Sequence, residues 1–252
     1  TWGELTKWAT MAINAGLCTT VACVYGNAQR SMNTAYGGSR VTGGAITSYF
    51  YYAPWGLTSQ GALYALFFQR HKLLYGTTDE QLGSIAVAFR KHACLNPNAV
   101  MYGKPITIDD YMNAKFVAEP LRLFDYCLIN DGGVAIIVRR ADMAKDLKQK
   151  PVYVLNHSQH NFKQRSTQPD LDEIEMWTDR TAKRMYEGAG LGPKDVDIFN
   201  PYDGYLNFTQ NYLEGFQWHG VKYGESRDFY KGDITSEGPH PFCPSGGNNG
   251  TG

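Results

Sequence analysis

The order of hydrophobic and polar residues predicts helices and strands in alternation along the chain. Residues 3–15 carry apolar side chains at helical spacing, and the apolar run at 21–25 then predicts a buried strand. Farther along, a helical pattern at 170–188 precedes a short strand pattern at 195–199. The remaining patterns predict helices at about 58–75, 79–95 and 206–216, and strands at 134–138 and 152–156. The same order of helix and strand in both halves indicates an α/β fold with a duplicated core.

Cap residues mark several of these boundaries. Thr78, with Gln81 three residues later, forms a capping-box pattern at the start of one helix. Thr107 is a candidate cap for a further short helix. By contrast, residues 31–56 are rich in Gly, Ser, Thr and Tyr and have weak periodicity, which predicts a long loop region.

Composition and charge exclude several classes of protein. The chain has 252 residues with 24 Lys and Arg and 24 Asp and Glu, so its formal charge is zero. No bulk basic field exists to attract a nucleic acid or an anionic membrane, and we expect neither as a partner. The hydrophobic fraction of 43% supplies a large core and excludes global disorder. No apolar run reaches the ~20 residues that span a bilayer.

The cysteines and histidines give little support for a metal site. The cysteines are odd in number and show no CxxC spacing: Cys18, Cys23, Cys94, Cys127 and Cys243. This pattern favours reduced thiols in a cytoplasmic protein over a disulfide framework or structural zinc. His157 and His160 have a His-x-x-His spacing but lack a third ligand. We therefore predict no metal.

Asp203 and its neighbouring tyrosines follow the strand predicted at 195–199. The carboxyl end of a strand is where open α/β sheets bind ligands. Tyr202 could act as an acid or a base if its surroundings lowered its pKa, whose ordinary value is about 10. The alternative is structural, because an aspartate here often only caps a turn or a helix.

A glycine-rich loop near the end of the sequence is the second candidate feature. It contains Ser245, Gly246, Gly247 and Asn248, with neither GxGxxG spacing nor a GK[ST] ending, so nucleotide binding is not supported. One interpretation is a mobile tail. The other is a close backbone approach to a ligand, with N–H groups that face an oxyanion. The sequence also lacks the GxSxG elbow of serine hydrolases.

Together these segments resemble the thiolase superfamily, in particular the branch of the sterol carrier protein x thiolases and the steroid side-chain aldolases. MAINAGLCTTVACVYGNAQRS resembles the family's step from the nucleophile helix to a strand, and CLINDGGVAIIV the strand that closes the N-terminal half. AKRMYEGAGLGPKDVDIFNPYDGY resembles the helix, strand and active-site loop of the second half. PSGGNNGTG resembles the Gly-Gly loop of the catalytic pocket. The resemblance covers nearly the whole chain.

The resemblance implies a thiolase-like fold of two similar α/β/α/β/α halves with an inserted loop domain over the substrate. Residues 1–150 would form the N-terminal half, including the loop domain at about 31–125, and residues 151–252 the C-terminal half. It also implies a homodimer and a coenzyme A thioester as substrate, with no bound cofactor. A small OB-fold, zinc-ribbon subunit is the expected partner in the aldolase branch.

The residues after the predicted strand distinguish the members of the superfamily. Thiolases carry an Asn-Glu-Ala-Phe-type sequence there and the carrier-protein branch a His-Asp-Cys-Phe-type one, whereas Tyr202-Asp203 resembles the Tyr-Asp of the steroid side-chain aldolases. The resemblance implies retro-aldol cleavage of a β-hydroxyacyl-CoA, with Tyr202 as acid or base and Asp203 orienting Tyr202 or the loop. The implied pocket residues near the thioester are Ser245, Gly246, Gly247 and Asn248.

By this resemblance, two positions that would decide the mechanism fall just outside the given sequence. The thiolase cysteine would stand just before Thr1 and the catalytic histidine directly after Gly252, so we expect a chain cut at both ends. An acyl-CoA thiolase is therefore an alternative, and so is a non-catalytic subunit that binds lipid or acyl-CoA. The aromatic stretch 49–55 is expected to form either a substrate wall or packed core.

Overall fold

A computed structural model describes residues 2–33, 53–57, 59–145, 147–160 and 171–252. Within these ranges the helices are α1 (Trp2–Asn14), α2 (Gln60–Tyr75), α3 (Asp79–Leu95), α4 (Ile108–Met112), α5 (Leu171–Ala189), α6 (Leu206–Gly215), α7 (Ser226–Phe229) and α8 (Gly247–Gly250). The strands are β1 (Thr20–Ala28), β2 (Phe116–Ala118), β3 (Leu121–Arg122) and β4 (Asp131–Arg139). The mixture of helices and strands confirms the predicted α/β class. Most of the predicted loop at 31–56, and of the aromatic stretch at 49–55, lies outside the described residues.

The helix boundaries follow the local signals. At the start of α3 the Thr78 hydroxyl accepts a hydrogen bond from Gln81 N, and the Gln81 side chain accepts one from Thr78 N at 3.0 Å. Thr107 caps α4 in the same way with Asp110. Both predicted caps are confirmed. Because a cap satisfies backbone groups that the first turn leaves unpaired, each such residue fixes where its helix begins.

Strands β1 and β4 pair in antiparallel register, from Thr20 opposite Arg139 to Ala28 opposite Asp131. The predicted burial of the strand at 21–25 is wrong for this structure, and its partner β4 is exposed as well. Val24 is 69% exposed and Ile137 is 62% exposed. In the part of the chain that the structure describes, no third strand extends this sheet. Helix α1 packs against both strands, but most of their side chains stay exposed.

Two predicted strands are not formed in the described residues. Residues 152–156 have no strand partner, and Val152 is 95% exposed. Of the strand predicted at 195–199, only Phe199 forms a bridge, a parallel one to Phe242. An apolar run favours an extended conformation, but it becomes a strand only where another segment supplies hydrogen bonds along its length.

The hydrophobic core lies between α2, α3, α6 and the segment around Phe242. Phe242 is fully buried, and its ring centroid lies 5.7 Å from that of Phe89 and 5.9 Å from that of Trp218. Other buried members of the core are Phe68, Leu82, Ile85, Leu121, Leu206 and Leu213. The core draws on residues from both sides of the predicted boundary at 150, and the division into two halves stays a prediction. No helix among the described residues is long and apolar enough to span a membrane.

Candidate functional site

The Tyr202–Tyr205 segment is hydrogen-bonded to two other parts of the chain. Just before it, the backbone N–H of Cys243 donates to Phe199 O at 2.8 Å. At its other end, the N–H of Cys127 donates to Gly204 O at 3.1 Å. The two segments that the sequence singles out, the Tyr-Asp pair and the glycine-rich loop, therefore lie side by side.

The carboxylate of Asp203 holds the glycine-rich loop in place. One of its oxygens accepts hydrogen bonds from the backbone N–H of Asn248 at 2.9 Å and from the Asn248 side-chain amide at 3.0 Å. The other accepts the backbone N–H of Asn249 at 2.9 Å. Burial raises the pKa of the Asp203 carboxyl, and these hydrogen bonds offset that rise only in part. From the sequence, Asp203 is expected to orient either Tyr202 or the loop, and these hydrogen bonds are made to the loop.

Glycines allow this loop to pack closely. Gly247 has a φ of +59° and lies against the Asp203 carboxylate, so a Cβ atom there would overlap the carboxylate oxygens. A Cβ on Gly250 would lie 2.5 Å from the Cβ of Ala93 in α3. The loop ends in the short helix α8, and Gly250 is buried. In the structure this segment is a packed element, and the interpretation as a mobile tail is wrong.

The backbone amides of this loop already have acceptors within the protein. The N–H groups of Asn248 and Asn249 donate to Asp203, and that of Gly247 donates to the Ser245 hydroxyl at 3.2 Å. The N–H of Gly246 donates to the Cys243 carbonyl at 3.0 Å. These four amides are therefore not available to an oxyanion in this conformation, which does not support the oxyanion interpretation of the loop.

Tyr202 lies at the surface of the segment and is 55% exposed. Its ring folds back over Gly204: a Cβ atom on Gly204 would lie 2.5 Å from a ring carbon of Tyr202 and 2.6 Å from its hydroxyl oxygen. The absence of a side chain at 204 therefore lets the phenol lie directly above the backbone of its own segment. From this position the hydroxyl can reach a molecule that lies beside Gly204.

A cavity of about 530 Å³ lies beside these segments. Gly204 of the Tyr-Asp segment and Asn249 of the loop line it, whereas Tyr202, Asp203 and residues 245–248 do not. The rest of its wall is mostly apolar and is formed by Ser59, Gly61, Arg90, Met101, Val117, Leu123, Phe124, Tyr126, Cys127, Leu128, Ile129 and Tyr205. A concave, mainly apolar cavity with a few polar groups is typical of a small-molecule site.

Sequence reasoning missed Asn249, which lines the cavity, and His92, which contacts the segment just before the glycine-rich loop. The side-chain amide of Asn249 donates to the carbonyls of Phe124 at 2.7 Å and Tyr126 at 2.9 Å, and so fixes one wall of the cavity. His92 contacts the carbonyl of Cys243 through Nδ1 at 3.0 Å, and burial lowers its pKa. The signal for Asn249 was its place two residues after the Gly246-Gly247 pair. His92 had only its position on the buried face of α3.

Cys127 is the one cysteine in the described residues that lines the cavity. Burial, and to a smaller extent the nearby Asp203, raises the pKa of its thiol. A thiol with a raised pKa stays protonated at neutral pH and is a poor nucleophile. Groups of three or more potential metal ligands do not occur within the described ranges, and His157 and His160 belong to no such group.

Comparison with known proteins identifies relatives of this chain. No family model matches it. It is 39% identical over 201 residues to the 17-hydroxy-3-oxo-4-pregnene-20-carboxyl-CoA lyase of Mycobacterium tuberculosis, a match that covers 77% of this chain and 51% of the relative. It is 31% identical over 253 residues to the steroid side-chain-cleaving aldolase of Thermomonospora curvata. That match covers 95% of this chain and 63% of the relative. The chain thus spans about half to two thirds of the length of these relatives.

The fold has a close counterpart among solved structures. The structure of the Ltp2-ChsH2(DUF35) aldolase matches with a TM-score of 0.84 and 29% sequence identity, over 99% of this chain and 64% of that one. The chain therefore belongs to the thiolase superfamily and has a thiolase-like fold. Within the superfamily, its relatives include the steroid side-chain-cleaving aldolases, as the sequence segments predicted.

Proposed function

We propose that this protein is a thiolase-like aldolase that cleaves a β-hydroxyacyl-CoA with a steroid or other lipid side chain. The observation that carries the proposal is the Tyr202-Asp203 pair, which lies beside a packed glycine-rich loop and a largely apolar cavity. Relatives named for carboxyl-CoA lyase and steroid side-chain-cleaving activity support the same reaction class.

The proposed reaction is a retro-aldol cleavage. A base removes the proton of the β-hydroxyl group, the bond between the α and β carbons breaks, and the β carbon becomes a carbonyl group. The electron pair of the broken bond forms the enolate of the shortened acyl-CoA, which takes up a proton at its α carbon. We assign the proton transfers to Tyr202, whose hydroxyl lies over the backbone of Gly204. Gly204 lines the cavity, whereas Tyr202 itself does not. Asp203 acts indirectly, because it holds the loop that borders the cavity.

The cavity wall holds no activated cysteine among the described residues. A thiolase holds its acyl group on a cysteine thiolate. The cysteine at this cavity wall, Cys127, has a thiol whose pKa is raised by burial, which disfavours that role. Retro-aldol cleavage needs no covalent nucleophile, and in this proposal Tyr202 is its proton carrier. Acyl-CoA binding without turnover is the alternative from a different class.

The remaining features of the proposal concern the assembly. We propose a coenzyme A thioester as substrate, with no bound cofactor, and a homodimer built from the two-half fold of residues 1–150 and 151–252. An OB-fold, zinc-ribbon subunit is the proposed partner, and the name of the matched Ltp2-ChsH2(DUF35) aldolase, which joins two components, is consistent with one. The five cysteines form no disulfide, and we propose a cytoplasmic location.

Replacement of Tyr202 by Phe tests the assignment, because it removes only the hydroxyl group. We expect the rate of β-hydroxyacyl-CoA cleavage to fall by about 10² to 10⁴. Formation of the carbonyl product and of the shortened acyl-CoA is measured by chromatography, with and without an OB-fold partner. Tyr102→Phe is the matched control, since Tyr102 is 52% exposed and lies outside the cavity wall.

Each outcome of this assay has a distinct meaning. Wild-type cleavage with loss in Tyr202→Phe alone supports the proposal. Cleavage at the wild-type rate in Tyr202→Phe would remove Tyr202 from the mechanism. Absence of wild-type cleavage in both the presence and the absence of the partner, together with acyl-CoA binding, would favour the non-catalytic alternative. Acyl transfer to free CoA would favour a thiolase.

A further inference from the structure

Arg90 is a buried cation at the wall of the cavity. It lies on α3, is 6% exposed and donates from Nη1 to the carbonyl of Lys104 at 3.1 Å. Its guanidinium carbon lies 5.5 Å from the ring centroid of Phe124. Its Nε–H is buried and has no hydrogen-bond acceptor among the described residues. No carboxylate in the described ranges forms an ion pair with it.

The Arg90 guanidinium has more N–H donors than the described residues supply acceptors for. Removing a charged group from water is costly unless a counter-charge or full hydrogen bonding replaces the solvent. Arg90 has one carbonyl and one aromatic face for its several N–H donors. Its pKa is lowered by that burial. An oxygen acceptor that enters the cavity would supply what the protein does not.

Tyr126 presents a second unused donor at the same cavity. Its hydroxyl is buried and has no partner among the described residues. Burial raises its pKa to about 12, so the phenol keeps its proton at neutral pH and can donate. Its ring packs over Gly61 in α2, where a Cβ atom would lie 2.6 Å from the hydroxyl oxygen. Asn249 fixes the Tyr126 backbone by a hydrogen bond of 2.9 Å to its carbonyl. The donor is therefore held in position before any ligand binds.

The other residues of the cavity wall determine which kind of molecule can bind beside these two donors. Most of the residues around them are apolar: Met101, Val117, Leu123, Leu128 and Ile129. Such a surface fits a hydrocarbon skeleton rather than a sugar or a phosphate chain. Among the described residues that line the cavity, Arg90 is the only cation. One guanidinium can pair with one carboxylate or polarise one carbonyl oxygen.

We propose that Arg90 and Tyr126 form a polar subsite that selects acyl groups bearing an oxo or carboxylate oxygen in addition to their thioester. The subsite rests on the proposed function only in that the cavity holds the acyl group of a CoA thioester. Arg90 and Tyr126 are specificity residues: they bind a part of the acyl group that the cleavage leaves unchanged. An apolar acyl group that lacks this oxygen would leave both donors buried and unpaired.

Equilibrium binding of three CoA thioesters tests the subsite without turnover. The three share one cyclic hydrocarbon skeleton, lack the β-hydroxyl group, and carry at the far end an oxo group, a carboxylate or only hydrogen. We expect the oxo or the carboxylate thioester to bind about ten- to a hundredfold more tightly than the hydrocarbon, as a charge-assisted hydrogen bond allows. The better of the two identifies the oxygen as neutral or anionic.

Tyr126→Phe is the decisive variant, because it removes a hydroxyl that bonds to nothing in the described residues and so leaves the fold intact. It should reduce the preference several-fold, and Arg90→Met should bring the three affinities together. Tyr230→Phe is the matched control, since its hydroxyl is likewise buried and unpaired but lies at a different cavity, beside Ile234. It should keep the wild-type preference.

Three results would overturn the subsite. The first is equal binding of all three thioesters by the wild-type protein. The second is a preference that Tyr126→Phe leaves unchanged. The third is a weakening in the variants that is equal for all three thioesters, which would place these donors on the thioester itself. Cleavage of the β-hydroxy forms is measured separately. A preference in binding without cleavage would refute the proposed function and leave the subsite standing.

Discussion

A Cβ atom on Gly247 would overlap the carboxylate of Asp203, so these two residues can be neighbours only because position 247 has no side chain. The contact couples the Tyr-Asp segment to the glycine-rich loop across 44 positions of sequence (247 minus 203). Any bulk at 247 must displace either the carboxylate or the loop. The carboxylate cannot move without breaking its hydrogen bonds to Asn248 and Asn249.

Gly247→Ala is therefore expected to destabilise the protein more than a positive φ alone explains. Alanine at a left-handed φ costs about 1–2 kcal/mol, and displacement of the Asp203 carboxylate adds to this. Gly103→Ala is the matched control, because Gly103 has a φ of +67° but no atom lies within 4 Å of the position that its Cβ would take. Urea unfolding of both variants measures the difference. An equal decrease in the free energy of unfolding of the two variants would show that the contact with Asp203 does not contribute to the cost at position 247.

Asp203→Asn should loosen the loop while it preserves the size of the side chain. An asparagine offers one oxygen where the carboxylate offers two, so one of the N–H groups of Asn248 and Asn249 would face an amide donor. An unsatisfied buried donor costs about 1–3 kcal/mol. Hydrogen exchange at those two amides should become faster than in the wild-type protein, with exchange in α2 as the internal control. Unchanged protection at both amides would contradict this role of Asp203.

The parts of the fold that the sequence predicted are those with local causes. The caps at Thr78 and Thr107 work over three residues, and both were found where the pattern placed them. The apolar run at 152–156 shows the limit of such reasoning. Its composition favours a strand, but whether another segment pairs with it depends on contacts that spacing does not encode, and the structure forms none there.

In the candidate site, too, the sequence predicted the residues with local signals and missed those that depend on distant contacts. Sequence reasoning selected Tyr202, Asp203 and the loop at 245–248, because a polar pair after a strand and a glycine cluster are local signals. It missed Arg90 and Tyr126, since a lone arginine on a helix and a lone tyrosine in a loop are usually solvated or packed. Their significance comes from burial without a partner, and burial follows from packing between segments far apart in the chain.

The buried pair of His71 and Glu214 should be a strong determinant of stability. His71 Nε2 lies 2.9 Å from a carboxylate oxygen of Glu214, and its Nδ1 lies 2.8 Å from the Thr77 hydroxyl. His71→Leu would leave the Glu214 carboxylate buried without its partner, at a cost of about 3–5 kcal/mol. Adding Glu214→Gln removes the uncompensated charge and should recover part of that loss. A double-mutant cycle by urea unfolding measures the coupling, and additive effects would show that the two side chains do not interact.

Asp125 should make the stability fall as the pH rises toward neutrality. Burial raises the pKa of its carboxyl to about 7, and the hydrogen bonds from Arg122 N at 2.6 Å and the Tyr111 hydroxyl at 2.8 Å counter only part of the rise. The folded state therefore binds a proton between about pH 4 and pH 7 that the unfolded state has lost. In that window the contribution of Asp125 to the free energy of unfolding should decrease by about 1.4 kcal/mol per pH unit.

Asp125→Asn tests this dependence, because the asparagine cannot titrate. The unfolding free energies of the variant and the wild-type protein are measured in urea from pH 5 to pH 8. Their difference should follow this slope and level off above pH 7. A difference that is constant with pH would show that Asp125 is ionised in the folded state throughout this range.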